Sequence, residues 1–373
     1  MTPPLRILFL TPFGGKTGSE MVLWNLLNHL DRSRFKAALF CEQPGALRAE
    51  LPLDIPFFTS PFQGSVPRRL WAKGRHALGL GVLESFFANV NRSFRPDCWY
   101  LNTLHMAPMA QIARNLGIPV IGHVHEISYL LYENVAAHDL IALVENARFL
   151  IGNADVVCDE LRLLGAARVE RLYPFVDLAA LQPDPARARQ LRRQLGIGDT
   201  DFIWLMSGTP IYRKGLDLVP TISRLLPPKT HLVWTGGVKS PSASFHFVVK
   251  QLEAEGRNNV HFVGAQTVDY AHYLAAADGF VLTSREEAFG MVNVEAAYLG
   301  KPIVAFDAGG NREILTEGMG ILVENGNVPA LVGAMQRVMN GQYAFKPDVA
   351  RARAQEFDVA TLIAEWHRIM ESF

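Results

Sequence analysis

The sequence predicts an α/β protein made of two doubly wound parallel-sheet domains. Three observations lead there. Strand-like and helix-like segments alternate from end to end, the pattern of parallel sheets covered by helices on both faces. The 373 residues are enough for two domains of ordinary size. A stretch rich in Pro, Arg, Gln and Asp, from Asp177 to Asp201, divides the alternation in two and reads as an interdomain linker with a surface helix. The expected domains are residues 1–176 and 177–355, followed by a terminal helix at 356–373.

In the first half, Leu5 to Thr11 is strand-like and Ser19 to Leu30 has helical periodicity. Further strand candidates are Lys36 to Phe40, Ile55 to Thr59, Asp97 to Leu101, Pro119 to Val124, Phe149 to Gly152 and Val169 to Tyr173. The second half repeats the pattern. Phe202 to Ser207 reads as a strand, Leu216 to Leu226 as a helix, and His231 to Thr235 as a strand ended by Gly236-Gly237. A helix running to about Glu255 follows, then the strand Val260 to Val263, the helix Val268 to Ala277 and the strand Gly279 to Thr283. Met291 to Leu299 reads as a helix stopped by Gly300, and Pro302 to Phe306 as a strand ended by Gly309-Gly310. Asn311 is the expected N-cap of the next helix. Val359 to Met370 is amphipathic and is expected to cross back to the first domain.

Composition narrows the function classes. Apolar residues make up 49% and charged residues 19%, which suits large cores, and 36 basic residues balance 36 acidic ones. Nothing here supports bulk nucleic-acid binding. Cys41, Cys98 and Cys158 are few, odd in number and far apart, as expected for reduced buried thiols rather than a disulfide framework or a zinc site. The apolar run after Met1 is too short for a signal peptide and reads as a first strand. No stretch approaches the roughly 20 apolar residues that span a bilayer. The expected setting is cytoplasmic, with peripheral contact at the inner membrane face as an alternative.

Ligands of open parallel sheets bind at the carboxyl ends of the strands, so the loops there hold the candidate site residues. The most informative is Glu287-Ala-Phe-Gly-Met-Val-Asn-Val-Glu295. It puts one carboxylate in a strand-to-helix loop and the second about one turn inside the helix. A helix start offers free N–H groups and a positive dipole end to a phosphate, and two carboxylates beside it can grip hydroxyls. That combination fits a nucleotide-sugar. Tyr212-Arg213-Lys214-Gly215 sets two cations in front of a helix, a diphosphate clamp. Gly14-Gly-Lys-Thr-Gly-Ser-Glu20 follows the first strand, and Thr17 with Glu20 matches a capping box. It lacks the Gly-x-Gly-x-x-Gly dinucleotide fingerprint, and a plain turn is as good a reading as a ligand loop. His123-Val-His125-Glu126 closes an apolar strand, with His125 nearer the carboxyl end. Its neutral ring can accept a hydrogen bond from a substrate hydroxyl. The His-x-His-Glu cluster could also bind a metal, but no other His, Cys or Asp run has convincing ligand spacing. Asp199-Thr-Asp201 lies at the wrong end of a strand and reads as a turn. Residues 67–76, with Phe86, Phe87 and Phe94 nearby, mix bases with aromatics, and a solvated helix is favoured over membrane docking.

These residues resemble the retaining glycosyltransferases of family 4, which have the GT-B fold. The stretch from Asp278 to Pro302 looks like that family's donor-site signature, continued by Gly309 to Ile314 and Gly318 to Val323. Arg213-Lys-Gly215, Trp234 to Gly237, Thr17 to Glu20 and His123 to Glu126 fall in the family's order. The resemblance is strong after residue 200 and weak from 40 to 95. It implies two Rossmann-like domains facing across a cleft. It also implies a sugar donor of the UDP or GDP type and an acceptor hydroxyl on a saccharide or lipid-linked glycan of cell-surface polysaccharide synthesis. In that frame Lys214 holds the diphosphate, Glu295 the ribose hydroxyls and Glu287 hydroxyls of the transferred sugar. Backbone amides of Phe289, Gly290 and Met291 contact sugar and phosphate, and His125 lines the cleft. Gly15 and Gly18 let the first-domain loop approach the donor. Family members often carry arginine one position after the glycine that ends the second domain's first strand. Here Gly208 is followed by Thr209, which leaves Arg213 or another residue to supply the second cation.

The implied reaction is hexosyl transfer with retention, needing no metal and no cofactor. Two rivals share the fold-level evidence: an enzyme that epimerises a nucleotide-sugar or phosphorolyses a glucan, and a non-catalytic sugar-nucleotide binder.

Overall fold

The computed structural model describes residues 3–373 except 17, 64, 67–69, 71–72, 75–80, 129–130, 132, 134 and 238–241. The Thr17 capping box and most of the basic–aromatic segment 67–76 therefore lie outside the described residues. The chain forms two compact units, Met1–Phe175 with Val359–Phe373, and Val176–Asp358.

The first unit carries a seven-stranded sheet in the order β3-β2-β1-β4-β5-β6-β7, parallel throughout. The strands are β1 (Leu5–Phe13), β2 (Phe35–Gln43), β3 (Phe57–Thr59), β4 (Cys98–Asn102), β5 (Val120–Val124), β6 (Ala147–Gly152) and β7 (Val169–Arg171). Between them run α1 (Gly18–Asn28), α2 (Val82–Phe94), α3 (Pro108–Asn115), α4 (Ala137–Asn146) and α5 (Asp155–Leu163). Ile7, Leu8, Phe9 and Leu10 are each 0% exposed, so both faces of β1 are covered, as in any parallel sheet between helix layers. β3 starts two residues later than the sequence pattern suggests. Pro56 has no N–H for a ladder, and the Ile55 N–H closes a turn on the Pro52 carbonyl at 3.1 Å. The order reverses between β1 and β4, so their carboxyl ends flank the switch point.

The second unit opens with α6 (Pro185–Gln194), capped by the Asp184 side chain on the Ala186 N–H. Its sheet runs β10-β9-β8-β11-β12-β13, again all parallel. The strands are β8 (Phe202–Ser207), β9 (Thr230–Thr235), β10 (Val260–Gly264), β11 (Gly279–Leu282), β12 (Ile303–Phe306) and β13 (Gly320–Val323). The helices are α7 (Val219–Leu225), α8 (Ala243–Ala254), α9 (Tyr270–Ala276), α10 (Met291–Tyr298), α11 (Asn311–Ile314), α12 (Val328–Met339) and α13 (Pro347–Gln355). The helix expected from Leu216 begins as a 3-10 turn, Leu216–Leu218, and becomes α-helical at Val219. Pro220 sits in its first turn, where a missing N–H costs nothing. Here the switch lies between β8 and β11.

The last helix, α14 (Val359–Glu371), belongs to the first unit. Its Trp366 is 0% exposed. The indole packs against Phe35 at 5.0 Å, and against Phe9 and Tyr100 at 6.3 Å each.

Candidate functional site

In the second unit, the loops after the two switch strands are laid against each other. Gly208 and Gly236 both have φ near 130°. A Cβ on Gly236 would fall 2.0 Å from the Gly208 carbonyl oxygen, so the strand ends approach as only glycine allows. The Trp234 indole N–H donates to that same carbonyl at 2.8 Å. Tyr212–Lys214 then forms a 3-10 turn closed by Gly215 at φ 79°. The Thr283 hydroxyl donates to the Lys214 carbonyl at 2.7 Å, and the Arg285 N–H to the Arg213 carbonyl at 2.8 Å.

This stitching brings two sequence-predicted residues together. The Lys214 ammonium pairs with Glu287 Oε2, their side chains 14% and 12% exposed. The Ser284 hydroxyl donates to the same oxygen at 2.9 Å. Burial pushes the Glu287 carboxyl up, but Lys214, Arg213 and Ser284 outweigh it and leave it below the usual glutamate range. Arg213 donates to the Glu286 carbonyl at 3.0 Å, which holds its guanidinium beside this pair. Arg285 faces elsewhere, in a bidentate bridge to Asp217 at 2.8 Å.

α10 starts beside that loop. Gly290 is its N-cap at φ 97°, and no side chain caps the helix. The first amides are thus open to an anion. Phe289 contributes backbone only, because its ring is buried against Phe357 at 5.1 Å. Asn311 is not the N-cap that the sequence suggests. Gly310 takes that place. The Asn311 side chain, 0% exposed, turns inward, donating to the Phe306 carbonyl and accepting from the Asn293 amide, both at 2.9 Å. The Gly310 N–H donates to the Glu287 carbonyl at 2.9 Å, tying the Gly309-Gly310 loop to the carboxylate loop.

Glu295 lies one turn into α10 and accepts from the Tyr270 hydroxyl at 2.6 Å. Burial lifts its carboxyl to about 7, with the phenol pulling the other way. Tyr270, Ser284 and the Asn293–Asn311 pair escaped the sequence reading, because no local pattern links residues this far apart.

In the first unit, the alternation of β5 puts His123 and His125 on one face, their rings 4.1 Å apart. His123 is buried against the Tyr100 hydroxyl, 2.7 Å from Nδ1, which makes it structural. His125 Nε2 lies 3.1 Å from Asn102 Oδ1, while the Asn102 amide donates to the Ser19 carbonyl at 3.2 Å. That orientation puts the ring proton on Nε2 and leaves Nδ1 as an acceptor. Burial lowers His125 to about 4, so the ring is neutral at pH 7. Glu126 is buried, accepting from the N–H of His125 at 2.9 Å and of Leu104 at 3.3 Å. Among the described residues, no group of three His, Cys, Asp or Glu is placed to hold a metal ion.

The two glycines of the first loop differ. A Cβ on Gly15 would lie 2.3 Å from the Phe13 ring. Gly18 is the first residue of α1, and a Cβ there meets nothing within 4 Å, so no protein contact requires glycine. Asp201 accepts from the Gly198 N–H at 3.2 Å and lies 3.3 Å from His231, a turn as the sequence suggested.

Comparison with known proteins adds a family. A model described as glycosyl transferases group 1 matches residues 188–356, and one described as a glycosyl transferase 4-like domain matches residues 17–193. D-inositol 3-phosphate glycosyltransferase of Jonesia denitrificans is 29% identical over 232 residues, 58% of this chain and 54% of its own. The chain thus spans about half the length of that relative. The solved structure of HepE from Anabaena, in complex with UDP and glucose, is 25% identical with a TM-score of 0.83, covering 99% of this chain and all of that one. Sucrose-phosphate synthase from Thermosynechococcus elongatus shares the fold, at 18% identity and a TM-score of 0.79 over 99% of this chain and 98% of its own.

Proposed function

The chain belongs to the group 1 glycosyl transferases and has the GT-B architecture, and from that premise we propose that it moves a hexose from a nucleotide-diphosphate donor to an acceptor hydroxyl, with retention at the anomeric carbon. The supporting observation is the Lys214–Glu287 pair set at the switch point beside the uncapped start of α10. A diphosphate gains negative charge as it leaves. Lys214, released from Glu287 as the donor binds, stabilises that charge together with Arg213 and the Gly290 and Met291 amides. Arg213 takes the part of the second cation where Thr209 stands. Glu287 receives sugar hydroxyls and Glu295 the ribose diol. His125 accepts through Nδ1 from a hydroxyl of donor sugar or acceptor. Attack from the face the diphosphate leaves, with its oxygen as base, gives retention. No residue set here is assigned to a metal or cofactor.

A UDP-sugar is the first donor to try, because HepE, at 25% identity over its whole length, is seen with UDP and glucose. A saccharide or lipid-linked glycan of surface polysaccharide synthesis is the acceptor class, by analogy of fold and family. The test is a thermal-shift screen against UDP, GDP and their hexose conjugates, since a ligand of the native state raises its melting temperature. An assay for free nucleoside diphosphate with and without saccharide acceptors follows. Release that depends on acceptor supports transfer. Conversion of the donor into a second nucleotide-sugar points to the epimerase rival, formation of sugar 1-phosphate from glucan and orthophosphate to the phosphorylase, and binding with no turnover under any condition to a non-catalytic binder.

A further inference from the structure

We propose that Tyr270 is a positioning residue that holds the Glu295 carboxylate in place for the hydroxyls of the donor nucleotide. The inference rests on the reading of Glu295 as a ribose-binding residue and says what makes that residue work. Tyr270 is the first residue of α9, and Glu295 lies 25 positions later on α10. The phenol donates to Oε2 at 2.6 Å, the length of a charge-assisted O–H···O bond. The Ser207 side chain, at the end of β8, is a further influence on the same phenol. A carboxylate has about four lone-pair sites, and Tyr270 takes one, leaving the rest for a diol.

The neighbouring charges leave this task to Tyr270. Asp269 is held by Arg187 and lies 3.6 Å from His272. Lys301 donates to the carbonyls of Ala275 and Ala277 at 3.0 and 2.6 Å. On α13, which packs on α10, Arg351 pairs with Asp348 at 3.2 Å. Lys214 is paired with Glu287, and Arg312 with Asp307. Burial and the phenol are the two influences on the Glu295 carboxyl, and they oppose each other. Without the phenol, burial alone sets the balance, and the neutral acid, a poorer acceptor for a diol, gains population near pH 7.

The test is Tyr270→Phe, which keeps the ring and removes the hydroxyl. Dissociation constants for UDP (or GDP, whichever raises the melting temperature more) and for its 2′-deoxy analogue are measured by calorimetry from pH 6 to 8.5. The expected result is about a tenfold loss of affinity at pH 6.5 that shrinks toward pH 8.5, with a smaller preference for ribose over deoxyribose. Glu295→Gln, which cannot ionise, should bind weakly at every pH and be little affected by adding Tyr270→Phe. If Tyr270→Phe folds poorly, Glu295→Gln against wild type still decides: an affinity below wild type that does not vary with pH is expected, and wild-type affinity overturns the proposal. Equal loss at all pH values, or unchanged ribose preference, overturns the proposal and leaves Tyr270 a packing residue. A wild-type protein that binds neither diphosphate overturns the donor-site reading itself, and this proposal with it.

Discussion

Lys214 and Glu287, 73 residues apart in sequence, meet as an ion pair between the loops that follow β8 and β11. Each is the other's counter-ion until a ligand arrives. Lys214→Met therefore acts twice. It removes the cation proposed to face the diphosphate, and it leaves Glu287 burdened by burial with its main partner gone. Expected outcomes are at least a tenfold rise in the nucleoside diphosphate dissociation constant, a roughly hundredfold fall in turnover, and a lower melting temperature. Adding Glu287→Gln should restore part of the melting temperature and none of the turnover. Donor affinity near wild type in Lys214→Met would take the cation out of the site.

Glu295 predicts a trade between stability and binding. Burial lifts its folded-state carboxyl to about 7, above the ordinary 4.5. The native state thus binds the proton more tightly than the unfolded chain. The stabilisation is complete below pH 4.5 and is lost as pH rises through 7. Glu295→Gln should flatten the pH dependence of melting between those limits and melt above wild type at pH 8, while losing donor affinity. Melting curves at pH 5, 6, 7 and 8 check this; parallel slopes in the two proteins would refute it.

Gly290→Ala tests the turn that starts α10. The residue sits at φ 97°, and a Cβ would lie 2.8 Å from Asn311 Oδ1 and 3.0 Å from Asn293 Nδ2. Left-handed strain and the broken amide pair together should cost about 1–3 kcal/mol, read from the urea midpoint. Donor affinity should fall as well, because the same turn aims the helix amides. An unchanged midpoint would show that the loop relaxes freely.

His125 is held neutral by burial, to about 4. Nitrogen NMR should therefore report one tautomer, protonated on Nε2, unchanged from pH 6 to 8.5. His125→Ala should lower turnover at least tenfold with donor affinity little altered. A titration of this ring inside that window would contradict the burial argument.

Much of the fold was legible because the strands are short apolar runs with glycine at their ends. Phe202–Ser207 was bounded correctly from sequence alone. The two-glutamate loop and helix were placed as found, since Gly290 and Gly300 punctuate them. What failed was non-local. Asn311 carries a local capping signature, yet its position is 0% exposed, and a buried amide must bond inward. The helices Pro108–Asn115, Ala137–Asn146 and Asp155–Leu163 drew no assignment. The contact of Tyr270 with Glu295 joins two helices that pattern reading treats separately. Pairing of Lys214 with Glu287 follows from strand order, which the alternation of elements does not state.

Trp366 completes the packing on Phe9, Phe35 and Tyr100, although the whole second unit lies between them in the chain. During synthesis the first seven strands emerge early but must wait, with an apolar face uncovered, while residues 176–358 are made. The second unit is contiguous and can close by itself as soon as it leaves the ribosome. Nascent chains stalled short of the final helix should therefore carry a protease-sensitive leading half and a resistant trailing one, an inversion of the usual order of maturation.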